Sequence, residues 1–280
     1  MLARDTAGEA RLQVAAAEAA FRLNAVPASA VHAAYARIVG GPSAGAQGRT
    51  EELFKTLLGT ESADLRARTM RALLEHAGRD GQRLDMARLL APLLGKLPPS
   101  PELGWFAESA VEIALSGGEL AAARRWAEMR FPGHWLALAA IADAEGGGRL
   151  DEALRTIDDL ARSGRINTDA LQRLVTVLDA LQIEMPMTLW DAASRIPQPA
   201  SGYLPETGLL ADLAQSSKRR EAGRTLLLVM RALGHDGPAG AHILALRDAV
   251  AALKRVGLEA DARRVGVEAL LAIWPHAVAN

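Results

Sequence analysis

Apolar residues recur along this chain with the period of an α-helix almost from end to end. The clearest run is Leu150, Ala153, Leu154, Ile157, Leu160 and Ala161, at offsets 0, 3, 4, 7, 10 and 11, which share one helical face. The same reading predicts helices over 6–24, 29–39, 50–58, 62–76 and 84–94, then one opening at Pro101 and another after Gly118. Trp135 to Ala142 is apolar nearly all round and reads as a buried helix. Further helices follow over 168–182, around Trp190, and over 207–215, 219–233, 239–256 and 259–274. No run alternates long enough to be a strand; Leu174-Val175-Thr176-Val177-Leu178 lies inside a helical period. About fourteen helices and an all-α fold are expected.

The breaks organise these helices. Asn24 to Pro27 ends the first, and Gly40 to Gly48 is the most loop-like stretch. Pro98-Pro99-Ser100-Pro101 is a stiff break in which Ser100 is placed to cap and Pro101 to take the first helical position. Met185-Pro186-Met187 and Ile196 to Pro205 flank the short helix around Trp190. The expected organisation is an N-terminal helical cap and Gly-rich linker over 1–49, then one continuous body over 50–280 with a weak seam near 185–205.

Within that body a unit repeats. Gly118-Glu119-Leu120 leads to Ala123, and Gly148-Arg149-Leu150 leads to Ala153, each opening a helix after a helix. Alanines in the corresponding place are Ala87, Ala123, Ala153, Ala192, Ala222 and Ala262, spaced 36, 30, 39, 30 and 40 residues apart. Leu84, Leu120, Leu150 and Leu189 precede the first four by three residues. Periods in this range mark stacked hairpins, because one hairpin cannot bury its own apolar stripe.

At Trp105 to Ala123 and Trp135 to Ala153, with Gly-x-Leu-x-x-Ala between, the chain resembles tetratricopeptide-like helical repeats. The likeness extends over roughly 60–275 and is strongest over 101–163. It implies a right-handed TPR-like α-solenoid of stacked antiparallel hairpins, whose concave groove takes a peptide or partner protein. The candidates for groove-facing residues in an interaction module of this kind are Trp105, Glu108, Glu112 and Trp135, on the first helices of two adjacent hairpins.

Composition narrows the chemistry. The net charge is −1, which argues against a globally basic nucleic-acid binder. There is no cysteine, so disulfides, thiolate metal sites and thiol catalysis are excluded. The longest uncharged run, Leu23 to Ala36, is too short to span a bilayer, and no signal peptide is visible after Met1. The expected compartment is the cytoplasm, or the periplasm if an upstream signal has been removed.

Few residues carry candidate chemistry. His235, Asp236 and His242 have metal-ligand side chains but fall in a Gly-Pro turn, where Asp236 reads as a helix cap before Pro238. Ser43 to Thr50 has the look of a phosphate loop, but Ser and Arg replace its Gly and Lys and no strand precedes it. No cofactor is expected. Arg88, Arg124, Arg125, Arg155, Arg224, Arg263 and Arg264 follow the anchor alanines, and stacking would align them as a ladder for an anionic ligand. Lys218-Arg219-Arg220 with Arg224 is the densest basic patch. The paired carboxylates Glu108 with Glu112, and Asp158 with Asp159, read as charged helix faces. The expected function is a non-enzymatic interaction or scaffold module. The alternatives are an α/α-toroid enzyme acting on a carbohydrate or small molecule, with acids such as Glu119, Asp151 and Glu259 at its helix ends, or a helical-repeat part of a cell-envelope or secretion assembly.

Overall fold

The computed structural model describes residues 6–39, 48–129, 134–143, 150–197 and 201–275. It is all-helical, with sixteen α-helices among the described residues. The Gly40 to Gln47 part of the expected linker, Gly148 and Arg149 of the second repeat turn, and residues 198–200 of the expected seam lie outside the described residues. The chain divides into two compact units, Met1–Met129 and Arg130–Asn280.

The first unit contains α1 (Thr6–Arg22), α2 (Ala28–Val39), α3 (Arg49–Gly59), α4 (Ala63–Arg79), α5 (Arg83–Leu94), a 3-10 turn over Pro101–Phe106, α6 (Ala107–Ser116) and α7 (Leu120–Glu128). Each helix packs against the next, and α2 reaches past α3 to α5. The two helices expected to form a separate cap therefore share packing with the helices after residue 48. Tyr35 stacks on Phe54 with ring centroids 4.0 Å apart. His32 donates from Nε2 to the Leu89 carbonyl at 2.8 Å, while burial pushes its imidazole pKa down. Burial and the neighbouring Glu18 carboxylate push the Tyr35 phenol pKa up, so it stays protonated and donates to Glu18 at 2.5 Å. Pro101 takes the first helical position as expected, but the Ser100 hydroxyl bonds the Glu102 side chain and does not cap the turn.

Helices α5 and α6 come close together at Gly117, which ends α6. A Cβ there would lie 2.2 Å from the Cβ of Ala91 on α5. Gly117→Ala should therefore destabilise by about 1–3 kcal/mol through forced separation of α5 and α6. Ala91→Gly added to it should recover part of the loss, because the clashing methyl is gone. Urea unfolding of the single and double variants measures this coupling, and additive losses would show that the contact is not the cause.

The second unit contains α8 (His134–Ala142), α9 (Leu150–Arg162), α10 (Thr168–Ala180), α11 (Met187–Ser194), α12 (Thr207–Lys218), α13 (Ala222–Leu233), the single turn α14 (Gly237–Gly240), α15 (Ile243–Arg255) and α16 (Glu259–Leu271). Helix α15 is central and packs on α10, α12, α13 and α16. Its buried side, Ile243, Ala245, Leu246, Ala249, Val250, Ala252 and Leu253, supplies much of the core. Helix α16 returns to α8 and α10, a long-range closure that a strictly linear stack would lack. The helix predicted over 239–256 is broken at 241–242. Ala241 is extended and bridges to Tyr203, and His242 then caps α15 by accepting from the Leu244 amide at 3.3 Å.

One local device recurs through both units. Helices α1, α4, α6, α9, α10, α12 and α15 all end in a left-handed residue: Asn24, Gly81, Gly118, Gly164, Gln182, Arg220 and Gly257. In every case the amide after it bonds back five residues, as Glu119 does to Ala114 and Glu221 to Ser216. This is the six-to-one closure that satisfies the last carbonyls of a helix and turns the chain. Five residues beyond Gly118, Arg220 and Gly257 stand Ala123, Thr225 and Ala262, all fully buried. Ala87 and Ala153 are fully buried too, whereas Ala192 is half-buried and Ala222 is exposed. The residue in the anchor place of α13 is Thr225, whose hydroxyl is 2.9 Å from that of Ser216 on α12.

Candidate functional site

The expected groove residues part company. Glu112 is 3% exposed and Trp135 is 2% exposed, so each is inside its unit and neither lines a surface groove. Glu112 is bound by both arms of the Arg83 guanidinium, with two contacts of 2.6 Å that tie α6 to the start of α5. Trp105 is half-buried, with the Arg68 and Arg71 guanidinium carbons 5.5 and 5.9 Å from its ring centroid. Glu108 is half-buried one turn along on α6.

The arginine ladder does not appear as one row of like environments. Arg263 is 11% exposed in its side chain, bonded to Glu259 at 2.8 Å and to the Ile141 carbonyl at 3.0 Å, where it fastens α16 to α8. That contact holds the Glu259 carboxyl below its usual range. Arg88 lies 3.9 Å from Asp85, and Arg124 is half-buried. Arg125, Arg155, Arg224 and Arg264 are exposed, and Arg224 lies 3.4 Å from Glu221.

Nor do the carboxylate pairs face an open cleft as pairs. Glu112 is committed to Arg83, while Asp158 and Asp159 share Arg162. Among the described residues no group of three or more His, Asp or Glu is placed to hold a metal ion. His235 is exposed and pairs with Asp236 at 3.0 Å, and His242 is spent as the α15 cap. The side chain of Asp236 makes no cap to α14. A small recess between α1 and α5 is lined by Glu18, Phe21, Arg22, Gln82, Asp85, Met86 and Leu89.

The feature that stands out is the outer side of α13. This helix is apolar on every side through Leu226-Leu227-Leu228-Val229-Met230. Thr225, Leu228, Val229, Ala232 and Leu233 face inward. Leu226, Leu227 and Met230 are left 43%, 65% and 63% exposed. With Gly223 they stand at offsets 0, 3, 4 and 7 of one stripe, and offset 11 is Gly234. Gly234 has a φ of 75°, and a Cβ there would meet the Tyr203 ring at 2.6 Å. Tyr203, itself 45% exposed, therefore lies over the end of the stripe and extends it. The seating is fixed by the backbone, since the Tyr203 amide donates to the Gly240 carbonyl and its carbonyl accepts from the His242 amide.

Within α13 itself, the charged side chains border the stripe on one side. Arg224 and Arg231 are seven residues apart, two helical turns, and sit together on the edge beyond Leu227. Lys218 at the end of α12 and Arg219 and Arg220 in the turn leading into α13 are all exposed. Arg220 and Arg231 have no ion pair among the described residues. The exposed apolar row beside these cations is the candidate interaction surface among the described residues. The sequence flagged the basic turn but not the stripe beside it. Compared with protein-family models, with curated proteins and with solved structures, the chain matches none.

Proposed function

We propose that this protein is a non-enzymatic interaction module, built from tetratricopeptide-like hairpins, that binds a partner protein on the outer face of α13. The carrying observation is the row Leu226, Leu227, Met230 and Tyr203, large apolar side chains exposed together on one helix face. The α12–α13 hairpin keeps an apolar outer face, and a contiguous exposed apolar patch favours an interaction surface. The seven recurrent turns favour hairpins as the stacking unit. Within the first unit the packing of each helix on the next is the order such stacking requires. The docking place differs from the one expected on the sequence. It moves from the first helices of two hairpins, where Glu112 and Trp135 are buried, to the second helix of a later hairpin.

The test is paired affinity capture with the unaltered protein and a Leu227→Asp variant as baits. Leu227 is 65% exposed, so the substitution should change folding stability by no more than about 0.5 kcal/mol. Some captured protein should be lost selectively from the variant bait, with the remainder unchanged. Identical captured sets from two equally folded baits would overturn the assignment of this face.

A further inference from the structure

The chemistry around the α13 stripe selects among the partners that an apolar face admits. We infer that its occupant is an acidic amphipathic helix of another protein, lying along α13 with a row of carboxylates over Arg224 and Arg231. This rests on the proposal that α13 is the docking face, and it specifies what docks there.

The stripe has the dimensions of a helix. Gly223 to Gly234 is eleven steps along the chain, which at 1.5 Å each is roughly 16 Å, or about three turns. Exposed apolar groups recur once per turn along it, first Leu226 and Leu227, then Met230, then the Tyr203 ring over Gly234. That spacing matches side chains at i, i+3, i+4 and i+7 of an incoming helix, the pattern by which helices are held in apolar grooves. Methionine within such a row adapts its shape to different partners.

Charge decides the rest. The cations occupy one edge, at Arg224 and Arg231, and one end, at Lys218, Arg219 and Arg220. Glu221 is the one carboxylate in this stretch, and it already lies within 4 Å of Arg219 and Arg224. A partner with carboxylates down one border of its apolar stripe therefore completes unmatched charge.

A second copy of this chain fits poorly. If two α13 helices met face to face and antiparallel about a two-fold axis, each Arg224 and Arg231 edge would meet the same edge of the other. If they met parallel, the two Lys218 to Arg220 turns would come together. Both symmetric arrangements juxtapose like charges, which disfavours them. An anionic lipid surface would use cations spread around the stripe, whereas here they follow a single line and one end.

The experiment uses the whole protein and two synthetic helical peptides of about 18 residues. Both carry leucines at i, i+3, i+4 and i+7; one has glutamates along one border of the stripe, and its twin has lysines there. Binding is read by fluorescence anisotropy at low and at physiological salt, beside vesicles of phosphatidylserine and phosphatidylcholine. The glutamate peptide should bind about tenfold more tightly than its twin, a preference that shrinks as salt rises. In R224E/R231E the preference should invert, and Leu227→Asp should weaken both peptides.

If the two peptides bind equally and R224E/R231E changes nothing, while Leu227→Asp still abolishes both, the acidic-partner inference falls and the docking face stands. If Leu227→Asp leaves peptide binding unaltered, the face itself falls and the inference with it. Vesicle binding lost in R224E/R231E, without a peptide preference, would overturn the helix in favour of an anionic membrane. A protein that becomes dimeric at micromolar concentration, with Leu227→Asp restoring the monomer, would overturn it in favour of self-association.

Discussion

Glu112→Ala should cost the first unit about 3 kcal/mol of folding stability, the low end of the range for removing one member of a buried ion pair. Glu112 is almost fully enclosed, and the Arg83 side chain opposite it is 28% exposed. Removing the carboxylate leaves the guanidinium with a long contact to the Leu74 carbonyl, at 3.5 Å, in a half-closed site. The partial exposure of Arg83 is why the lower figure applies. Water can reach one side of the stranded charge.

The same physics predicts that Arg83→Met combined with Glu112→Leu is far less damaging than either single loss, because two apolar side chains need no solvation. Urea unfolding followed by circular dichroism gives all four corners of the cycle, and the coupling should exceed about 1 kcal/mol. A Glu112→Ala midpoint indistinguishable from that of the unaltered protein would mean that the pair is open to solvent.

What could be read from the sequence follows from what periodicity encodes. Nearly every helix was legible, because an amphipathic stripe such as Leu150 to Ala161 shows its inner face by spacing alone. The hairpin turns were legible where glycine supplies the left-handed residue, as at Gly118. The left-handed residue itself was hidden at Gln182 and Arg220, where an ordinary side chain takes that conformation. The anchor of α13 was misplaced for a related reason. Thr225 is buried there with its hydroxyl satisfied by Ser216, so the small buried residue was polar and the search for alanine settled on exposed Ala222.

The exposed apolar stripe of α13 was illegible for the opposite cause. Leu226 to Met230 is apolar at every position, so no period remains to tell the inner side from the outer. Only the placement of α15 and α12 decides it, and that depends on contacts between distant segments. Glu112 illustrates the same limit for charge. One carboxylate on a helix gives no sign that an arginine 29 residues earlier will enclose it.

Trp135 separates the two accounts of where binding resides. As a groove residue it would be dispensable for folding, and its removal would register in partner affinity. Its 2% exposure argues the reverse, as does its place on α8 between α9 and the returning α16. Trp135→Ala should cost about 3–5 kcal/mol, the usual loss when a large aromatic leaves a cavity in a close-packed core. For a unit of this size that loss corresponds to a fall in Tm on the order of 10 °C.

Trp105→Ala is the internal control. Trp105 is half-buried, and its ring meets Arg68 and Arg71 at the surface, so its loss should be several-fold smaller. Thermal unfolding of both variants, with binding of the glutamate peptide measured below the transition, distinguishes the cases. A large fall in Tm with binding preserved places Trp135 in the core and recognition on α13. An unchanged Tm with binding lost would return recognition to the groove expected from the sequence, and would require α8 to be open where the structure closes it.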